Sequence, residues 1–235
     1  MKDEPEAGRA ADLAGSGNGL RALAQLQQLL QSIHGVEALP VGGFVVGEDE
    51  RARLCPEASP DEALLVCEGG ETLHVGLFLE ASVLEQLNSA PGAPWSIERL
   101  RGFCHATEGV SHFLYLAHRA QNERPVSLLE LEAQAEVDKY LCVLLQLWAT
   151  GRRAASAELR RRLFERVSLR AGLSRVERER YRLANQLAAA TASVLEARYV
   201  VQGKLEGLLR EARRLYRLGG GEKLTALAQG QLAAA

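Results

Sequence analysis

The chain has 235 residues, 47% hydrophobic and 25% charged, with a formal net charge of −2. These are ordinary values for a globular protein and fit one large domain or two small ones. The near-neutral total excludes any argument from net charge alone. Residues 1–150 carry 10 Lys+Arg against 22 Asp+Glu, whereas residues 151–235 carry 18 against 8, so an acidic half precedes a basic one. The four cysteines (Cys55, Cys67, Cys104, Cys142) have no paired spacing, which argues against a disulfide framework and fits reduced thiols. The acidic N-terminus lacks the apolar run of a signal peptide. The longest apolar stretch, Tyr140 to Ala149, is interrupted by Gln146 and is half the length a membrane-spanning helix needs. A soluble, cytoplasmic protein that does not enter a membrane is therefore expected. The cations are 24 Arg and only 4 Lys, a usage that fits a GC-rich bacterial genome.

In chain order, residues 1–19 are charged, then rich in Ala, Gly, Ser and Asn, and are expected as a disordered tail. Leu20, Leu23, Leu26, Leu30 and Ile33 follow at three- and four-residue steps, an amphipathic helix stopped by His34-Gly35. Gly43 to Gly47 is a short apolar run between glycines and reads as β, followed by a polar loop over 48–59. Ala63 to Glu68 and Glu71 to Leu79 flank Gly69-Gly70, a hairpin signal. In its second arm, Leu73, Val75, Leu77 and Leu79 are expected to face the core. Ser82-Val-Leu-Glu85 has the form of a capping box and predicts a helix there. Ser96 caps another helix, and Val110 to Arg119 reads as a strand. Ser127-Leu-Leu-Glu130 is a second capping box, opening a helix to about Ala149 whose latter half is apolar nearly all round and hence buried.

Thr150-Gly151 marks the change of charge sign. A helix over about 157–170 is predicted next. Ser174-Arg-Val-Glu177, the third capping box, opens the longest helix, predicted to run to Leu218 and to reach about 65 Å if unbroken. Steps of three and four along it trace Leu183, Leu187, Ala190, Val194, Ala197, Val201, Lys204, Leu208, Glu211, Leu215 and Leu218, a coiled-coil-like seam. Gly219-Gly220-Gly221 ends it, and residues 219–235 are expected as a flexible tail.

The chemistry-bearing residues form no known motif. His105, His112 and His118 lie near Cys104 and Glu108, but without the tight ligand pairs of a zinc site, and on a strand His112 and His118 stand about 20 Å apart. No metal, cofactor or catalytic residue is expected. Glu130, Glu132, Glu136 and Asp138 sit on the 127–149 helix, where burial makes a general base of a carboxylate. The basic half is the larger signal, with Arg160, Arg161 and Arg162 in one short stretch and Arg178 and Arg182 along one helix side. Arg forks suit phosphates and carboxylates alike.

The fold class expected is α+β. A small antiparallel sheet packed by helices fills an acidic domain over 20–150, followed by a basic helical region over 151–218 with one long C-terminal helix. The function expected is a non-enzymatic protein–protein interaction module, an adaptor or assembly subunit. Leu183, Leu187, Val194, Val201 and Leu208 form its apolar contact, and Arg160, Arg161, Arg162, Arg178 and Arg182 pair with acidic surface on a protein partner or a second copy. Two alternatives stand beside it. One is nucleic-acid binding through the arginine-rich helices. The other is an enzyme that uses Glu136 or Asp138 with a histidine.

Overall fold

The computed structural model describes residues 17–56, 61–69, 72–87, 95–166, 169 and 172–232. The tail expected at the N-terminus lies, up to residue 16, outside the described residues. The fold is α+β: helices dominate, and a small sheet packs against them. The chain forms two compact units.

The first unit takes residues 17–28 and 39–113. Its sheet has the order β1-β3-β2, with β1 at Val45–Val46, β2 at Glu62–Gly69 and β3 at Thr72–Leu79. β2 and β3 are the predicted antiparallel hairpin, paired without interruption from Glu62↔Leu79 to Gly69↔Thr72. The link between them lies outside the described residues. The sheet is mixed rather than purely antiparallel, because β1 runs parallel to β3 at Leu77 and Phe78. Burial along β3 follows distance from the turn rather than face: Leu77, Phe78 and Leu79 are all buried, whereas Leu73 is exposed and Val75 half-buried. The inner end of the hairpin is thus covered on both faces, and its tip is not.

Helix α1 (Gly17–His34) keeps the predicted stripe, burying Leu23, Leu26, Leu30 and Ile33. The side-chain amide of Gln27 accepts from the Val41 N–H and donates to the Leu39 carbonyl, 2.8 Å each, which fixes the turn before β1. The expected loop after β1 contains α2 (Glu48–Leu54). Three acids in its first turn and two arginines near its end complement the helix dipole. Helix α3 (Ala81–Leu87) begins before Ser82, whose hydroxyl donates to Glu80 instead of capping. The predicted strand at 110–119 is the second half of helix α4 (Ile97–Gln121), which Ser96 caps by accepting from the Arg99 N–H. That stretch is buried on nearly every side, so its apolar run carries neither the helical nor the strand period. Gly109 lets α4 approach the sheet: a Cβ there would lie 2.8 Å from Leu77 Cδ1.

The second unit takes residues 29–38 and 114–235, described as far as 232. Its centre is α5 (Leu128–Ala149), opened by the Ser127–Glu130 capping box and buried through Tyr140, Leu141, Leu144 and Leu147. Helix α7 (Arg175–Leu195) packs along α5, and its alanines 184, 188 and 192 permit close approach. Its own capping box, Ser174–Glu177, is formed. Helix α6 (Ser156–Arg160) continues into a π-helical turn at Arg161–Glu165, and α7 into another at Glu196–Val200. The long helix predicted to reach Leu218 therefore stops near Val200. Gly203 adopts φ +69°, a left-handed conformation that breaks the helix. A separate α8 (Leu205–Arg217) follows. The tail predicted after Gly219 is instead helix α9 (Gly220–Leu232), packed on α7 with Lys223 and Leu227 buried. No described helix is long and apolar enough to cross a membrane.

Candidate functional site

The densest polar chemistry in the molecule is a buried network in the second unit, built by α5, α8, α9 and the end of α1. Asp138, on α5, is 1% exposed, and its Oδ1 lies 2.8 Å from Nε2 of His34, which is equally buried. The amide of Gln134, one turn earlier on α5, donates to the same oxygen at 2.8 Å. The other atom of that amide, Oε1, accepts from Lys223 Nζ at 2.6 Å. Gln134 thus relays between a buried carboxylate and a buried amine, and the two contacts fix which way its amide points. Lys223 is fully enclosed. It also donates to the Leu215 carbonyl at 3.3 Å and stands 4.1 Å from the centre of the Tyr115 ring.

The surroundings are aromatic and titratable. Tyr216 stacks on His34 with ring centres 4.0 Å apart and meets Tyr115 edge-on at 5.1 Å. The Tyr115 hydroxyl donates to the Leu218 carbonyl. Burial holds Lys223 down at about 7, against the pull of Asp138 and Glu130 toward the charged form. Burial also pushes Tyr216 up, helped by the Asp138 charge, and does the same to Tyr115 beside Glu130. Burial opposes ionisation of Glu130 as well. Yet the N–H groups of Gly220 and Ser127 and the Ser127 hydroxyl hold its carboxyl below the ordinary range. Glu130 therefore closes the capping box of α5 with one oxygen and fastens the first residue of α9 with the other. His118 is pushed down by burial and by the cations Arg119, Arg217, Lys223 and Arg124.

This network contains the carboxylate–histidine pair that the enzyme alternative requires, with His34 rather than a histidine of the 105–118 group. At 1% exposure on both partners, no substrate reaches it in this conformation, and its geometry is that of a polar core. Of the other acids of α5, Glu136 pairs with Lys139 at 2.8 Å and Glu132 lies 3.7 Å from Arg180. The histidines disperse. On α4, His105 and His112 are two helical turns apart and meet acids at the start of β2, Asp61 at 3.8 Å and Glu62 at 3.7 Å. His118 lies in the other unit, against Tyr216.

A second feature is an open cleft of about 550 Å³ beside the π-helical turn of Glu196–Val200, lined by Trp148, Arg153, Ser156, Glu196, Val200 and Val201 among others. Ser156 Oγ donates to Glu196 Oε1 at 2.6 Å, and Arg160 pairs with Oε2. Both carboxylate oxygens are occupied, so Glu196 ties its π-helical turn to α6.

The residues predicted for interaction separate into two groups. Leu187 and Leu208 are buried inside the unit and Val194 is half-buried, whereas Leu183 is 36% and Val201 69% exposed. The seam is therefore not one continuous surface: burial already alternates along α7 and its π-helical turn, and the break at Gly203 separates Leu208 from the rest. Arg160, Arg161 and Arg182 pair with Glu196, Glu158 and Glu179, Arg162 is half-buried, and Arg178 reaches the Leu173 carbonyl. Sequence reasoning missed His34, Lys223, Tyr115 and Tyr216, whereas Gln134 stands one turn before Asp138 on the predicted helix. The spacing of those four carries no signal, since they come from α1, α4, α8 and α9. Comparison with known protein families, characterised proteins and solved structures finds no match to this chain.

Proposed function

We propose that the protein is a non-enzymatic interaction module, an adaptor that docks an acidic protein partner on the exposed N-terminal half of α7. The observation that supports this reading is the pair Val176 and Leu183, two turns apart on one helix face and exposed to 75% and 36%. Exposed Arg175 and Arg182 lie beside the pair on one side, with Arg178 further round the helix. An apolar stripe bordered by arginine forks matches an amphipathic helix that carries carboxylates beside its own apolar stripe. Charge complementarity there sets orientation and association rate, while the apolar pair contributes the buried area. Four free thiols suit a reducing, cytoplasmic setting.

The test is affinity capture from nuclease-treated lysate with the wild-type chain and with a Val176→Ser/Leu183→Ser variant. Acidic proteins retained by the wild type and lost from the variant are the expected result. Retention that the variant leaves intact, or captured material that nuclease removes, overturns the reading.

A further inference from the structure

The first unit carries a sheet edge open to a partner strand. β2 has β3 on one side and, among the described residues, no strand on the other. In such an edge strand every second residue turns its N–H and C=O outward, away from the paired neighbour. Edge strands in monomeric proteins are normally guarded by lysine, proline, a bulge or short length. β2 has none of these. It is eight residues long, it contains no Lys, Arg or Pro, and its register with β3 is unbroken. Its centre is Leu64-Leu65-Val66-Cys67, of which Leu64 and Leu65 are half-buried, Val66 is 46% exposed and Cys67 is exposed. Leu73, on the neighbouring strand, extends the apolar surface.

The charge around this edge selects the occupant. β2 and β3 carry Glu62 and Glu68 and no Lys or Arg, while Asp61 at the foot of β2 is paired with Arg101. Antiparallel self-pairing of the strand centred on Leu65 is disfavoured, because it sets position 62 across from position 68, and both are Glu. We propose that β2 is a docking edge for an extended segment of a protein partner, apolar at its centre and carrying Lys or Arg at its ends, which adds to the sheet as a fourth strand. Main-chain hydrogen bonds to the outward groups of β2 supply affinity. Contacts with Leu64 and Val66 on one face and Leu65 and Cys67 on the other supply selectivity. The proposal is independent of the α7 reading, since it uses a different unit and a partner of opposite charge.

The test titrates the full-length chain with fluorescent eight-residue peptides of alternating valine and threonine. One ends in lysines, one ends in glutamates, and one ends in lysines but has alternate backbone nitrogens methylated. The lysine-ended peptide is expected to bind at least about tenfold more tightly than either of the others. It should also slow hydrogen exchange at those β2 amides that do not bond to β3. Val66→Lys should weaken it by a similar factor, with the α7 variant Val176→Ser unchanged. Equal binding of the lysine- and glutamate-ended peptides overturns the proposal, as does indifference to backbone methylation, which needs no change to the protein. Slow exchange of the outward β2 amides in the free protein also overturns it, because the edge is then already covered. So does a concentration-dependent dimer that Val66→Lys abolishes, because the occupant is then a second copy.

Discussion

Lys223 is the residue whose environment departs furthest from what its chemistry prefers. An amine ordinarily titrating near 10.5 is held at about 7 because α9 carries it out of water. Its folded-state pKa is depressed, so between pH 7 and 10.5 the unfolded chain binds a proton that the folded chain does not. Folding stability therefore rises with pH across that window, at up to about 1.4 kcal/mol per pH unit from this group. Tyr115 and Tyr216 have the opposite sign: raised by burial, they bind protons more tightly when folded, and their contribution is lost as pH climbs past 10. Urea unfolding is thus expected to show a stability maximum between about pH 9 and 10. Lys223→Met should flatten the rise above pH 7 while leaving the decline at high pH. At pH 7 the variant removes the burial penalty but strands the Gln134 oxygen and the Leu215 carbonyl, which costs about 1–3 kcal/mol in return. The pH slope, not the stability at one pH, is therefore the decisive measurement. A variant with the wild-type slope would show that another group carries it.

At the scale of elements, legibility depended on whether a signal was local. The boxes at Ser127 and Ser174 are complete in four residues, and both helices begin where they predict. The β2–β3 hairpin was equally legible, because strand composition and a two-residue glycine-rich link occur together. The second half of α4 was misread because complete burial erases the period that distinguishes helix from strand. Helix α9 was invisible for a different reason. Its inward face combines Leu227 with a lysine, and nothing in a sequence marks a lysine as a core residue. The break in the long helix was present as Gly203, but the seam running past it was continuous in pattern. Gly203→Ala tests that break directly. Its φ of +69° strains any residue with a Cβ, and a Cβ there collides with the Arg153 guanidinium. A loss of about 1–3 kcal/mol is expected in chemical denaturation. An unchanged midpoint would mean that the helix tolerates continuation through this position. Removal of residues 219–235 discriminates similarly between a tail and a helix. Loss of a tail is neutral, whereas loss of α9 uncovers the Gln134–Asp138 network and the surface beneath Leu227. It should lower stability by at least about 2 kcal/mol and raise binding of a hydrophobic dye.

For the whole molecule, the acidic and basic halves do not divide where the compact units divide. Helix α5, from the acidic half, lies in the same unit as α6–α9. Much of the arginine in the basic half is neutralised nearby. Arg161, Arg182 and Arg214 pair with glutamates three residues away on their own helices, and Arg160 with Glu196. The three pairs within single helices contribute about 0–1 kcal/mol each and weaken with salt, whereas Arg160–Glu196 is part-buried. These pairs contribute little to holding the chain folded, and the proposed docking would give the remaining charge a second role. Raising sodium chloride from about 0.05 to 0.5 M shortens the Debye length from above 10 Å to a few ångströms. Thermal unfolding should then shift by no more than a few degrees, because the cores rest on apolar burial and enclosed polar contacts that salt does not reach. Over the same range, association of the lysine-ended peptide with β2 should slow markedly, since attraction between unlike surfaces acts mainly on the rate of encounter. A parallel collapse of folding stability would show instead that the oppositely charged halves hold one another, and docking would then compete with folding for the same charges.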